Sequence, residues 1–373
     1  MLGGMTTQPT RTADLITNLA EHATVVGLGT STREAHELFR QVEATTLRLV
    51  ERGFRTIAIL DNQRVGELYD QYLGGADLDL DSVLAQAWGP WQVVEMRQTL
   101  TALREHNRRH PNDPVRLLGI EGPRALPADY DRVLELLDGI DPPAAAAARG
   151  PLEVIRRAHS TGEHVLRALG THPGTPFVEL ARAGREATAA LPDGAERDEA
   201  VRLLDLIVEF HADAIGVGYD QDRAEQAAAT RLLAHHQASG DRIVLWEGSA
   251  HVAAHGGPTL GSYLRQALGD QYVAVHLTFG AGRTPRHEIP PARAGSLEGT
   301  LTAGGGERVV DLRAAAAADP PVALDRRWQI RLISGRYDPA RDDDHYYEFP
   351  SLADSFDAIA FTPTITPVEP LEL

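Results

Sequence analysis

Short apolar runs closed by turns dominate the pattern of hydrophobic and polar positions along the chain. Residues 24–29, 56–61, 115–121 and 242–246 are such runs, rich in β-branched residues and bounded by Gly, Asp or Pro. Runs of this length and composition predict buried strands, and 273–279 adds a fifth. Between them the apolar spacing changes to three and four, which predicts helices over 34–52, 92–109, 224–238 and 259–268. Strands alternating with helices imply βαβ units. The expected fold class is α/β, a mostly parallel central sheet flanked by helices. Residues 308–312, 329–333 and 358–362 are expected as edge strands.

A long insert, 127–221, separates the third and fourth runs. Its pattern is helical over 131–138, 144–169, 176–191 and 195–216, with Pro and Gly as punctuation. It reads as a lid over the carboxyl edge of the strands. The expected organisation is therefore 1–126 as the first part of the α/β core, 127–221 as the helical insert, and 222–373 as the second part. Residues 1–12 read as a loose tail, 285–306 as a Pro/Gly-rich loop, and the alanine tracts 144–148 and 314–318 as helix or linker surface.

In an open α/β sheet, ligands bind outside the carboxyl ends of the strands. Three of the first four runs place a carboxylate there: Asp61, Glu121 and Glu247, with His251 just beyond the last. Imidazole titrates near neutral pH and moves protons when a carboxylate orients it. His251 is thus the expected proton shuttle, with Asp61 or Glu247 orienting it or acting as base. Thr30, Arg33, Glu121, Arg124, Arg223 and Ser249 are expected to contact substrate, and Tyr219 and Trp88 to stand on the lid side. A bidentate arginine contact suits a carboxylate, a phosphate or a developing oxyanion, which gives Arg33 its expected role.

Composition narrows the chemistry. The net charge of -17 repels nucleic acid and anionic membranes, so neither is expected as a partner. Cysteine is absent, which removes disulfides and thiolate chemistry. All 36 basic residues are arginine, which removes Schiff-base chemistry and the lysine of a P-loop. With no apolar run near the ~18 residues of a membrane span and no signal-like start, a cytoplasmic protein is expected.

Competing motifs are incomplete. Gly27-Leu28-Gly29 is like a dinucleotide fingerprint, but its third glycine is missing, and Asp61 lies 34 residues after Gly27, where the ribose-binding acid follows at about 20. Gly29-Thr30-Ser31-Thr32-Arg33 is like a nucleophile elbow in which Arg33 replaces the last glycine that the tight turn needs. A helix cap by Ser31 or Thr32 is the plainer reading. Asp61, Glu121, Glu247 and His251 are an oxygen-rich set with one nitrogen donor but no diagnostic spacing, so no metal or other cofactor is expected. His345 beside Asp342-Asp343-Asp344 reads as a solvated loop, and His235-His236 as helix surface.

Taken in order along the chain, several pieces resemble the erythromycin esterase family. They are Leu28-Gly29 with Glu37-Leu38-Phe39, Arg52-Gly53-Phe54-Arg55, then Tyr69, Tyr72 and Gly74. They continue through Arg223 with Ala227-Ala228, Trp246 with His251-Val252-Ala253, and Phe356-Asp357-Ala358-Ile359 with Thr364 and Pro370-Leu371. The resemblance implies an α/β sheet with a helical lid and ester hydrolysis without a serine nucleophile, water being activated by histidine and carboxylate. The family's Gly-Glu, two residues, His-Gly turn places its acid, base and glycine on Thr30, Arg33 and Glu34. Its acid after strand two matches Asp61. Its His-Asn-x-His block falls on Gly248, Ser249, Ala250 and His251, so one histidine of the block is kept. Threonine is no carboxylate base, and arginine stays protonated at any relevant pH. The expectation is a family relative with an altered site, acting by acid/base chemistry on a small molecule or short peptide as a tailoring enzyme of natural-product biosynthesis. The alternatives are a hydrolase of an ester such as a macrolide lactone, and a non-catalytic ligand binder.

Overall fold

The computed structural model describes residues 8–156, 163–214, 218–255, 257–315, 323–324, 326–333 and 337–373. Four apolar runs form adjacent parallel strands: β1 (Val25–Thr30), β2 (Phe54–Asn62), β3 (Arg116–Glu121) and β4 (Arg242–Gly248). The sheet continues with β5 (Tyr272–Arg283), to which the short β6 (Glu288–Ile289) pairs antiparallel. β7 (Arg308–Asp311) is the antiparallel edge. A separate two-stranded sheet joins β8 (Trp328–Arg331) and β9 (Tyr346–Phe349), and β10 (Ala358–Ile365) lies parallel beside β5. Among the described residues the main order is β3-β2-β4-β1-β5-β10-β7. β1 is flanked by β4 on one side and β5 on the other, so the carboxyl ends of these five parallel strands lie along one edge. Val25, Val26 and Leu28 are fully buried because helices cover both faces.

Several expectations are corrected. Within the expected tail, a helix begins at Gln8 and runs to Leu19; its apolar positions Ala13 and Ile16 pack inward, as does Ala20 just after it. The stretch 358–362 is not an edge: β10 sits between β5 and β7, and its alternating apolar side chains are buried on both faces. Of the stretch 329–333, residues 329–331 pair with β9 outside the main sheet, and the Ile333 N–H donates to the Ser31 carbonyl. The expected loop 285–306 contains β6 and the helix Leu297–Ala303, which is capped by Ser296. The helix Gln63–Leu73 follows β2 with no loop between them. The Asn62 carboxamide accepts from the backbone of Arg64 and Val65, which starts the helix there.

The insert leaves the sheet at the carboxyl end of β3 and returns through the helix Gln221–Ser239. Its helices Pro127–Ile140, Pro142–Arg156, Glu163–Ala168, Phe177–Ala189 and Ala195–Ala212 surround a core of their own, including Tyr130, Leu137, Phe177, Leu204 and Ile207. The expected helix over 144–169 is described on either side of 157–162, which lie outside the described residues, as do 215–216 and 316–318. The Arg64 guanidinium pairs with Asp129 and ties the insert to the sheet beside the open edge.

Candidate functional site

The glycines of the first strand have a packing reason. A Cβ on Gly29 would stand 2.3 Å from Val252 Cγ2 and 2.8 Å from the Ser249 backbone, and one on Gly27 would meet the Tyr272 hydroxyl at 2.7 Å. The bare backbone of β1 is the bed on which the helical turn Ser249–Val252 rests, and that turn carries His251. The motif thus seats a histidine and does not form a dinucleotide loop. Ser31 is buried, and the next helix starts at His36 with Ala35 as its uncapped first position, so neither Ser31 nor Thr32 caps it. Thr32 instead accepts from the backbone N–H of Glu34 at 3.3 Å.

The register sets Gly29 of β1 opposite Glu247 of β4, and Thr30 opposite Gly248. Glu247 is buried, and its carboxylate accepts from the Arg33 guanidinium and from the backbone N–H of Gly248. The Arg33 guanidinium also lies over the Trp88 ring at 4.8 Å, a favourable cation–π contact. A Cβ on Gly248 would sit 3.3 Å from Arg33 Nη2 and 3.4 Å from His251 Cδ2. Any side chain at position 248 would compete with Arg33 for this space. The glycine and the arginine are therefore matched in volume, one small because the other is large.

His251 takes a different partner from those expected. Its Nδ1 hydrogen-bonds Glu225, whose other oxygen accepts from the backbone N–H of Leu260 at 2.7 Å. Glu225 is buried on the helix Gln221–Ser239. The Glu247 charge, aided by the Glu225 hydrogen bond, raises the His251 pKa to about 9, against the cost of burial. The histidine is therefore protonated at neutral pH, while its side chain stays about one-third exposed (32%). Sequence reasoning missed Glu225, although Ala228, Ala229 and Leu232 at i+3, i+4 and i+7 put it on the buried stripe of its helix.

Asp61 stands where β2 departs from regular pairing between Ile59 and Asn62, an irregularity of the kind that re-aims side chains near sites. Its carboxylate accepts from the backbone N–H of Asn62 at 2.8 Å and Trp88 at 3.2 Å. Burial outweighs these bonds and raises its pKa to about 7. Glu121 is also pushed up by burial, and it lies within electrostatic reach of Arg124, Glu247, Arg33 and His251. Arg124 Nη2 is 3.3 Å from Glu121 Oε1. Burial raises the Tyr219 hydroxyl as well, and Glu121, Glu225 and Glu247 act on it in the same sense.

Asp61, Glu121, Arg124, Arg33, Glu247 and His251 thus belong to one electrostatic cluster, joined by Glu225, with Thr30 and Trp88 at its border. Two expected contacts lie elsewhere. Ser249 is buried and its hydroxyl turns to His276 Nδ1 at 2.7 Å. Arg223 is exposed and pairs with Asp213 at 2.7 Å. His235 is partly buried and bonds Thr56 at 2.8 Å, so it is not free surface. Among the described residues no group of three or more carboxylate or imidazole side chains has the arrangement of a metal site, and no helix is long and apolar enough to cross a membrane.

A family profile for erythromycin esterase matches residues 49–365. A succinoglycan biosynthesis protein of known structure aligns over 98% of this chain and 95% of its own, with a TM-score of 0.64 and 16% identity. A Bacillus cereus protein aligns over 99% and 96%, with a TM-score of 0.62 and 16% identity. A mutant of the erythromycin esterase EreC, in its open conformation, aligns over 96% and 95% with a TM-score of 0.57 and 16% identity. At such identity these likenesses concern the fold. A search of the curated proteins returned no matching relative.

Proposed function

The chain belongs to the erythromycin esterase family, and from that premise we propose an acid/base enzyme with an altered site, a tailoring enzyme of small-molecule or peptide natural products. The observation that carries this reading is the replacement at the heart of the cluster. Arg33 and Gly248 stand where the family resemblance places histidines, they fit one another sterically, and Glu247 supplies the countercharge. A ruined site would not keep four largely buried carboxylates around three cations, because burying charge costs stability unless each group is paired. In the proposed reaction, protonated His251 donates to a leaving or developing anionic oxygen. Glu121 or Asp61, made more basic by burial, takes a proton. Arg33 and Arg124 hold an anionic group of the substrate.

The test is mass spectrometry on a library of small carboxylate-bearing natural products and activated esters. The expected result is a product formed without net gain of water, and its loss in His251→Ala with folding retained. Gain of water would favour the second reading, ester hydrolysis, which the kept His251 and Asp61 support. A ligand that raises the melting temperature and is recovered unchanged would point to a non-catalytic binder. A surface of net charge -17 supports neither a nucleic-acid nor an anionic-membrane partner.

A further inference from the structure

Two motifs of the resemblance, Glu37-Leu38-Phe39 and Pro370-Leu371, take no part in the cluster, yet the segment that follows β10 uses both. Residues 366–371 run across the starts of two helices. Against the turn after β1, Pro367 bridges Ala35, the Thr366 carbonyl accepts from the His36 N–H at 2.9 Å, and the Val368 N–H donates to the Glu34 carbonyl at 3.2 Å. Against the residues that lead into the helix Val94–Arg109, Pro370 bridges Val93. There the Glu369 carbonyl accepts from the Val94 N–H at 2.8 Å and the Leu371 N–H donates to the Gln92 carbonyl at 2.9 Å. Two carboxylates complete the attachment. Glu37 accepts from the Thr366 backbone and hydroxyl at 2.7 and 2.6 Å, and Glu95 accepts from the Glu369 N–H at 3.2 Å while bonding His36 Nδ1 at 2.7 Å. Every backbone N–H from Thr366 to Leu371 is thus used, and the two residues that have none to offer are prolines. Val368 is buried in the main core.

The two stretches joined in this way carry the cation and the ring at the border of the site. Arg33 directly precedes Glu34; its guanidinium pairs with Glu247 and lies over the Trp88 ring at 4.8 Å. Trp88 comes shortly before Gln92, and its backbone N–H donates to Asp61 at 3.2 Å. Both stretches are connections between regular elements, the second interrupted only by the short turn Gly89–Trp91. Connections of this kind open locally unless something ties them down. We infer that residues 366–371 are a positioning strap, which fixes the turn bearing Arg33 and the loop bearing Trp88 relative to each other and so sets where the site's cation stands. Extended chain rises about 3.3 Å per residue, and proline holds its φ, so the three steps from Pro367 to Pro370 make a stiff spacer of about 10 Å. The strap acts through Arg33 and Trp88. The inference rests on the reading above, in which Arg33 holds an anionic group, and adds what holds Arg33.

Acrylamide quenching of tryptophan fluorescence in the full chain tests it without a substrate. Trp88 is 39% exposed while Trp91, Trp246 and Trp328 are buried, so quenching reports chiefly on Trp88, and a Trp88→Phe chain gives the remainder. Val368→Pro removes the donor to Glu34, and Glu37→Ala removes the acceptor of Thr366. Each should raise the quenching constant by about twofold through local release of the loop, with a cooperative melt retained and no rise in the Trp88→Phe background. Glu37→Gln, which keeps an acceptor, should restore the original value, and Glu372→Ala, just past the strap, should leave it alone. Should Val368→Pro not fold, Glu37→Ala and its rescue decide. Unchanged quenching in a folded Glu37→Ala overturns the inference, as does an equal rise in the Trp88→Phe chain, which would mean general loosening. On a substrate that is turned over, the strap variants should raise KM about tenfold with kcat changed by less than about threefold, the mark of lost substrate holding. The two readings fail separately. A Trp88-specific rise without any turnover leaves the strap and removes the catalytic proposal, whereas turnover abolished by His251→Ala with quenching and KM unmoved by the strap variants does the reverse.

Discussion

The helical turn Ser249–Val252 separates two histidines set among the same residue types. On its outer side, His251 is one-third exposed, bonded to Glu225 and charged under the influence of Glu247. On its inner side, His276 is fully buried, with Ser249 Oγ at 2.7 Å from Nδ1 and Glu298 Oε1 at 3.8 Å from Nε2. Serine, histidine and glutamate in a row are the ingredients of a hydrolytic triad. Yet all three are sealed, the ring meets serine through the nitrogen that a triad gives to its acid, and Phe356 stacks on it at 5.0 Å. Access and local charge, not residue type, set the two histidines apart.

The sharpest way to break this contrast is to remove each ring in turn. His251→Ala should lower turnover by about 10²- to 10⁴-fold, the usual contribution of general acid/base groups, while circular dichroism stays native. Equal losses from His276→Phe and His251→Ala in folded protein would erase the distinction. Next in size is Arg33→Ala, which leaves Glu247 buried without its cation. A cost of about 3–5 kcal/mol is expected, measured by urea unfolding, and Glu247→Gln in the same chain should recover part of it. On the sealed side, Glu298→Ala strips Thr278 Oγ1 and the Arg331 backbone N–H of their acceptor. It should cost about 1–3 kcal/mol and leave turnover per folded molecule alone.

The smallest effects are those of pH. The folded pKa of His251 lies at about 9, above the ordinary imidazole value of about 6.5, so the native state binds the proton more tightly. Its contribution to stability is complete below about 6.5 and lost as pH rises through about 9. Asp61 is also raised, to about 7 from 3.8, so it too favours the protonated fold and opposes folding as pH rises through that window. Melting temperature should fall by a few degrees between pH 6.5 and 9, and His251→Gln should flatten the curve. If Asp61 is a base, the rate should climb through about pH 7 and decline through about 9; an unchanged acid limb in Asp61→Asn would remove it from that role.

Much of the sheet was legible because buried strands are short, β-branched and closed by turns. The carboxyl-edge set was legible for a related reason: a polar residue directly after such a run has to lie at a strand tip. β10 defeated this logic, since being parallel and internal depends on which strands it meets and not on its own pattern. Ser249 shows the same limit. It shares a short turn with His251, yet helical geometry points its hydroxyl to the opposite side. Arg223 was assigned from its place in a motif, but only the fold shows it facing Asp213. Glu225 was readable from the stripe it shares with Ala228, Ala229 and Leu232, although its pairing with His251 depends on chain crossings that no local pattern records.

The contact between β1 and the turn above it makes the first strand a height gauge for the imidazole. A methyl group at Gly29 has to lift Val252 and Ser249, and the ring rises with them, away from Glu225. Gly29→Ala should therefore reveal itself as an acid-shifted alkaline limb of the rate profile before any melting curve records it.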